Sequence, residues 1–120
     1  MLRLASLVAL ILVFGHAAAQ DAIIKKANGV FTNSAGMTVY TFDKDAAGKS
    51  ACNGACATNW PPLTAAAAAR SVGDLTVITR DDGTRQWAYK GKPLYLWSKD
   101  QKPGDKTGDN VNNAWHVVVD

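Results

Sequence analysis

The sequence predicts an all-β domain, a small antiparallel sheet structure of two pseudo-symmetric repeats with one disulfide-bearing loop. It becomes α+β only if that loop or an alanine run forms real helix. Three observations predict it. The segment "VYTFDKD" (Val39–Asp45) returns as "LYLWSKD" (Leu94–Asp100), so Tyr, any residue, an aromatic, two residues and Asp occur twice. The runs that carry the motif are β-branched and aromatic, the composition of strands. A Gly-bearing turn segment stands in front of each.

The repeat rests on one offset. Tyr95 follows Tyr40 by 55 positions, and the same separation relates Gly91 to Gly36, Trp97 to Phe42, Lys99 to Lys44, Asp100 to Asp45 and Trp115 to Trp60. Self-similarity at a fixed separation marks a duplicated unit. The two copies cover about residues 31–63 and 86–118. They have diverged: the cysteine loop belongs to the first copy alone, and "QKPGDKTGDNVNN" takes its place in the second.

The elements follow in order. Asn33–Gly36 ("NSAG") and Tyr89–Lys92 ("YKGK") supply Gly where a hairpin turn needs positive φ, with strands expected before them at about 29–33 and 86–89. Strand side chains alternate, so Tyr40 and Phe42 share one face, as do Tyr95 and Trp97, while Val39, Thr41, Leu94 and Leu96 point the other way. The second copy is apolar on both faces, which places it centrally in the sheet. "LTVITRDDGTRQWAY" reads as a hairpin with Asp81-Asp82-Gly83 at its turn and arms at 75–79 and 85–89. "AWHVVV" is a last strand, with Trp115, Val117 and Val119 on one face. "AAAAAR" is too short to hold a helix alone and reads as a loop with at most one helical turn. "SACNGACATNW" reads as a short helix capped by Ser50 and ended by Pro61-Pro62, with Gly54 weakening its middle.

The N-terminal residues read as an address. Arg3 precedes an 11-residue apolar run, Leu4–Phe14, and Ala17 and Ala19 are the small residues a signal peptidase needs. A spanning helix needs ~20 apolar residues. The expectation is a signal peptide over 1–19, cleavage near Ala19 and a single domain over 20–120; an uncleaved anchor is the alternative. No cysteine sits at the cleavage site, so the product is expected to be soluble, in the periplasm or outside the cell, with no transmembrane segment in the mature chain. Without Arg3 the chain carries 12 basic and 10 acidic residues, every acid an Asp. The basic residues are scattered apart from Lys25-Lys26, so a nucleic-acid partner is not indicated.

Cys52 and Cys56 are the only cysteines. In an oxidising compartment two nearby thiols pair, and a helical turn or tight loop brings this spacing within disulfide reach. A redox pair or a metal pair is the alternative. Thioredoxin-type redox pairs have two intervening residues, and haem attachment needs a His where Ala57 stands.

With "YTFDKD", "YLWSKD", "CNGACATNWPPL", "TRDDGTRQWAYKGKPLY" and "AWHVV", the chain resembles the bacterial secreted-repeat family catalogued as lipoproteins with a Yx(FWY)xxD motif. The resemblance covers nearly all of the chain after the signal. It implies an exported, repeat-built small domain and brings no established activity and no catalytic residues. The chain departs from the lipoprotein label in having no lipid-acceptor Cys.

Two readings of the motif compete. In one it is a folding signature: Phe42, Trp60, Trp97 and Trp115 fill the core, Gly36 and Gly91 make the turns, and each Asp holds a corner. In the other, Tyr40, Asp45, Tyr95 and Asp100 converge on a ligand site; two carboxylates and two phenols would bind a cation, a sugar or an amine. No metal ligands and no cofactor are assigned. "DKDAAGK" opens like a calcium loop but has Ala47 and Gly54 where oxygen ligands are needed. After the expected signal, Met37 and His116 are the only further soft ligands for copper or haem. No nucleophile elbow or phosphate loop is present, so an enzyme is disfavoured and no catalytic residue is named. The sequence therefore points to a non-enzymatic binding or interaction module of the cell envelope, with an unknown ligand or partner. A metal- or cofactor-linked envelope protein (copper, haem or calcium) and a small envelope hydrolase are the alternatives.

Overall fold

The computed structural model describes residues 23–119. The expected signal peptide and its cleavage site lie outside the described residues. Seven short strands, β1 (Ile24–Ala27), β2 (Val30–Asn33), β3 (Tyr40–Phe42), β4 (Leu75–Thr79), β5 (Arg85–Tyr89), β6 (Lys92–Pro93) and β7 (Trp115–Val117), pair only antiparallel. Among the described residues, a single helical turn, α1 (Ala55–Asn59), and a 3₁₀ turn over Val111–Asn113 complete the order. The fold is all-β in character, as the sequence predicts.

Local chemistry sets the hairpins. Asn28-Gly29 turns β1 into β2 with φ of 53° and 88°, and Lys90-Gly91 turns β5 into β6 with φ of 51° and 85°. Two consecutive positive φ angles match the right-handed twist of the arms they join. The β4–β5 hairpin around Asp81-Asp82-Gly83 has the arms expected from sequence. At its tip the Thr84 N–H and hydroxyl both donate to Asp82 Oδ1, at 2.9 and 2.6 Å. In front of β3, Asn33 Oδ1 accepts the N–H groups of Ala35 and Met37, both at 3.0 Å, and so closes the "NSAG" turn. The alanine run is a loop, its carbonyls at Ala66, Ala67 and Ala69 held by the Arg85 guanidinium.

The centre of the fold is a pseudo-two-fold axis between the two copies of the motif. Tyr40 and Tyr95 stand opposite each other and exchange both backbone hydrogen bonds, N–H to O distances being 2.8 and 2.9 Å. On the outer side of β3 lies β7, with Tyr40 opposite Val117. On the outer side of Tyr95 lies Pro62, 55 positions before Val117. The second copy of the motif is therefore central, bracketed on both sides, as its double apolar pattern implies. The symmetry extends to the bonds that end each strand: Asp43 N–H to Ala114 O (2.8 Å) is matched by Ser98 N–H to Asn59 O (3.0 Å).

Strand alternation divides the core in two. One face collects Tyr40, Cys52, Trp60, Tyr95 and Trp115. The other collects Val39, Trp87, Leu94 and Val118. Neither cluster belongs to one repeat, so burial of apolar surface ties the copies together.

One strand has no counterpart in the sequence expectations: residues 24–27, whose two lysines hide the pattern although Asn28-Gly29 is itself a strong hairpin signal. Two local expectations are corrected. Helix α1 begins only after Gly54 (φ 59°), which opens it instead of interrupting it. Ser50 does not cap that helix: it is buried, and its hydroxyl is committed to Tyr95 and Arg80.

Candidate functional site

The two tyrosines of the motif point into the same core face, and both are fully buried. A buried phenol needs a partner, and each finds it in the other repeat. The Tyr40 hydroxyl donates to Asp100 Oδ2 at 2.6 Å. The Tyr95 hydroxyl donates to Asp45 Oδ2 at 2.7 Å. The second oxygen of each carboxylate anchors the loop that follows its own motif. Asp45 Oδ1 accepts the Ala51 N–H at 2.7 Å. Asp100 Oδ1 accepts the Thr107 N–H at 3.0 Å and the Thr107 hydroxyl at 2.6 Å. Thus Tyr40, Asp45, Tyr95 and Asp100 are brought together as two crossed pairs rather than as one open cluster.

Burial, and then the carboxylate each one faces, push the ionisation of Tyr40 well above the ordinary phenol range. Tyr95 moves the same way, and burial is again the largest cause. Asp45 is also raised, because it is removed from water, against the opposing pull of its Ala51 and Tyr95 hydrogen bonds.

The two pairs differ in support. The Tyr40 oxygen accepts the Gly108 N–H at 3.2 Å. The Tyr95 oxygen is met by Ser50 Oγ at 2.6 Å, and Ser50 in turn accepts from Arg80 Nη1 at 3.1 Å. Arg80 is only 4 % exposed. It also donates to Gln86 Oε1 at 2.8 Å and to the Cys52 carbonyl at 2.6 Å, and Gln86 Nε2 donates to the Leu94 carbonyl at 2.8 Å. A buried cation is retained only where its donors are met. Arg80, Gln86 and Thr107 escaped the sequence reading, and Ser50 reads in sequence only as a helix cap, since a residue type gives no sign that a tertiary partner will bury it.

Cys52 and Cys56 form the expected disulfide, with Cα atoms 5.2 Å apart. Cys52 is fully buried beside Trp60, so the bridge fixes the loop that delivers Ser50 to Tyr95.

Next to the tyrosines the aromatic residues form a continuous stack. Phe42 lies on Trp115 (centroids 4.0 Å apart), Trp115 on Trp60 (3.8 Å, planes within 1°) and Trp60 on Trp97 (3.9 Å). The order is symmetric about the axis, each outer ring contributed by one repeat and stacked on the inner ring of the other. Tyr40 meets Trp60 edge-on at 5.3 Å, and Tyr95 meets Trp115 edge-on at 5.1 Å. Offset stacks and edge contacts each add about 0.5–1.5 kcal/mol beyond area burial.

Gly108 is the seat on which this stack closes. A Cβ there would fall 2.8 Å from Trp60 Cη2 and 2.9 Å from Trp97 Cγ. Gly108→Ala is expected to cost about 1–3 kcal/mol by overpacking. The check is the urea midpoint of the purified variant beside that of Gly104→Ala. That glycine has open space around its Cβ position, although its positive φ costs something of its own. Equal losses in the two variants would refute the packing role of Gly108.

A groove opens at each end of the stack. The first, about 230 Å³, runs over Phe42 and is bordered by Asp43, Asp45, Lys90 and Lys92. The second, about 200 Å³, runs over Trp97 and is bordered by Met37, Pro61, Leu96 and Asp100. They are the same place in the two repeats: Phe42 corresponds to Trp97, Asp45 to Asp100 and Lys92 to Met37 at the offset of 55. The lining has diverged from charged to apolar. Beyond the first groove, His116 Nε2 and Asp43 Oδ2 are 2.8 Å apart and exposed. The two acids of the calcium-like "DKD" therefore turn to different partners. Among the described residues, no three His, Cys, Asp or Glu side chains are grouped as a metal site. No helix among them is long and apolar enough to cross a membrane.

A family model described as a secreted repeat of unknown function matches the chain twice, over residues 22–64 and 76–119. Neither the curated proteins nor the solved structures gave a match. The two matched segments are the two halves that exchange tyrosine–aspartate bonds across the axis. With two copies in tandem covering most of its length, the chain belongs to this secreted-repeat family.

Proposed function

We propose that the protein is a non-enzymatic exported binding module of the cell envelope, and that its ligand sites are the two grooves at the ends of the aromatic stack. The observation that carries this reading is the crossed pairing of the motif. Tyr40 and Tyr95 are consumed in the core, and each holds the opposite repeat's aspartate, Asp100 or Asp45, at the border of a groove that is also lined by Trp97 or Phe42. A ring flanked by a fixed carboxylate suits an amine, a sugar hydroxyl or a cationic side chain. Both grooves are smaller than the ~300–1,000 Å³ of pockets for drug-sized ligands. Each therefore accepts one ring or one side chain of a larger partner, a glycan or a peptide, held at two points.

The test is a titration of the isotope-labelled protein with soluble envelope glycans and short cationic peptides, followed by amide chemical shifts. Shifts are expected around Phe42 and Lys92 or around Met37 and Trp97, and Lys92→Glu and Met37→Glu should each abolish one set. Ligand-induced shifts confined to the β1–β2 hairpin would sink the proposal.

A further inference from the structure

The stack contains three indoles in series, Trp97, Trp60 and Trp115, with ring centroids 3.9 and 3.8 Å apart. Packing alone asks for apolar volume; it does not ask for three of the most easily oxidised side chains in van der Waals contact. Nor does it ask that each inner indole touch a phenol already hydrogen-bonded to a carboxylate, as Trp60 touches Tyr40 and Trp115 touches Tyr95.

We propose that Trp97, Trp60 and Trp115 form a one-electron relay that ends on Tyr40 and Tyr95. The reaction partner is an outer-sphere one-electron oxidant that docks at Trp97. Trp97 is half-buried and is the indole of the stack nearest solvent, while Trp60 and Trp115 are buried. The opposite end is closed by Phe42, a ring too hard to oxidise to serve as an entry. The pseudo-symmetric positions 42 and 97 thus differ in the one property that gives the chain a direction.

The step balances without any bound group. One electron leaves Trp97 for the oxidant, and an electron from Trp60 refills Trp97. Tyr40 then gives one electron to Trp60, and its phenolic proton crosses the 2.6 Å hydrogen bond to Asp100 Oδ2. The products are the reduced oxidant, a neutral tyrosyl radical and a protonated Asp100. On the other branch the electron hole moves on to Trp115, and Tyr95 sends its proton to Asp45 Oδ2 over 2.7 Å. A one-electron reductant restores the phenol as the carboxyl returns its proton. Electrostatics favours inward movement of the hole toward Tyr40: the Lys99 ammonium stands 6.0 Å over the Trp97 ring, whereas the Asp100 carboxylate borders Tyr40.

The experiment uses flash-generated tris(bipyridine)ruthenium(III) as the oxidant, in a Tyr89→Phe background. That substitution leaves Tyr40 and Tyr95 as the only phenols, because the sequence has three tyrosines. A tryptophan radical should appear first and a tyrosyl radical after it, followed by transient absorption and by electron paramagnetic resonance of frozen samples. Trp97→Phe, which copies the residue at Phe42, should lose most of the tyrosyl yield while circular dichroism shows an intact fold. Asp100→Asn should prolong the tryptophan radical at the expense of the tyrosyl radical. An undiminished tyrosyl yield in Trp97→Phe overturns the proposal. So does a tyrosyl radical that forms equally fast in H₂O and D₂O in the Tyr89→Phe protein itself, a comparison that needs no further variant.

Discussion

Trp60→Ala is expected to cost the domain about 3–5 kcal/mol, the range for truncating a fully packed aromatic. Trp60 is only 4 % exposed and touches three rings at once: Trp115, Trp97 and, edge-on, Tyr40. Two of these belong to the other repeat, so the cavity would open on the seam between the copies. Domains of this size have ~5–15 kcal/mol in all, and each kcal/mol moves the melting temperature by about 4–8 °C. The variant should therefore melt about 12–40 °C below the parent protein. Urea denaturation followed by circular dichroism measures the loss. Trp60→Phe keeps a ring in place and should recover much of the stability. A loss under about 1 kcal/mol for the alanine variant would place Trp60 with surface residues and contradict its role as the hub of the stack.

Alkaline pH should unfold the protein with a slope set by two phenols. Tyr40 and Tyr95 ionise in the folded state well above their ordinary value of 10.0, burial being the main cause. The folded state thus keeps two protons that the unfolded chain releases. The stabilising contribution is fully present below the ordinary phenol value and is lost as pH rises from there toward the raised folded value. Each retained proton costs about 1.4 kcal/mol per pH unit in that window, so the pair costs about 2.7. Urea midpoints from about pH 9 to about pH 11.5 give the slope. Tyr40→Phe should roughly halve it at the price of one buried hydrogen bond. A stability profile that stays flat across the window, or a slope that Tyr40→Phe leaves unchanged, would show that the phenols are not held as the structure places them.

Much of this architecture was legible in the residues, and the reasons are local. The offset of 55 finds the axis, because duplicated strands keep their aromatic periodicity. The β4–β5 hairpin is legible because Asp81-Asp82-Gly83 admits little but a turn. The disulfide follows from two close cysteines in an exported chain. What stayed hidden is tertiary. The motif shows two tyrosines and two aspartates but not that each tyrosine takes the aspartate of the other copy, since a carboxylate at a strand end serves equally well as a local corner. Arg80 looks like any charge beside a turn until its guanidinium is seen satisfying Ser50, Gln86 and the Cys52 carbonyl. The grooves could not be read at all: Phe42 and Trp97 are core residues by pattern, and only the structure shows that one side of each borders a groove.

The crossed bonds also constrain how the chain comes to be folded. Tyr40 waits for a partner 60 residues later, and Asp45 for one 50 residues later. Without the second repeat, the first has its Tyr40 phenol unsatisfied and Trp60 without its neighbour Trp115. Only when the second repeat is present does a complete core exist to be formed, so the same bonds that hold the domain together make its folding wait for the whole chain.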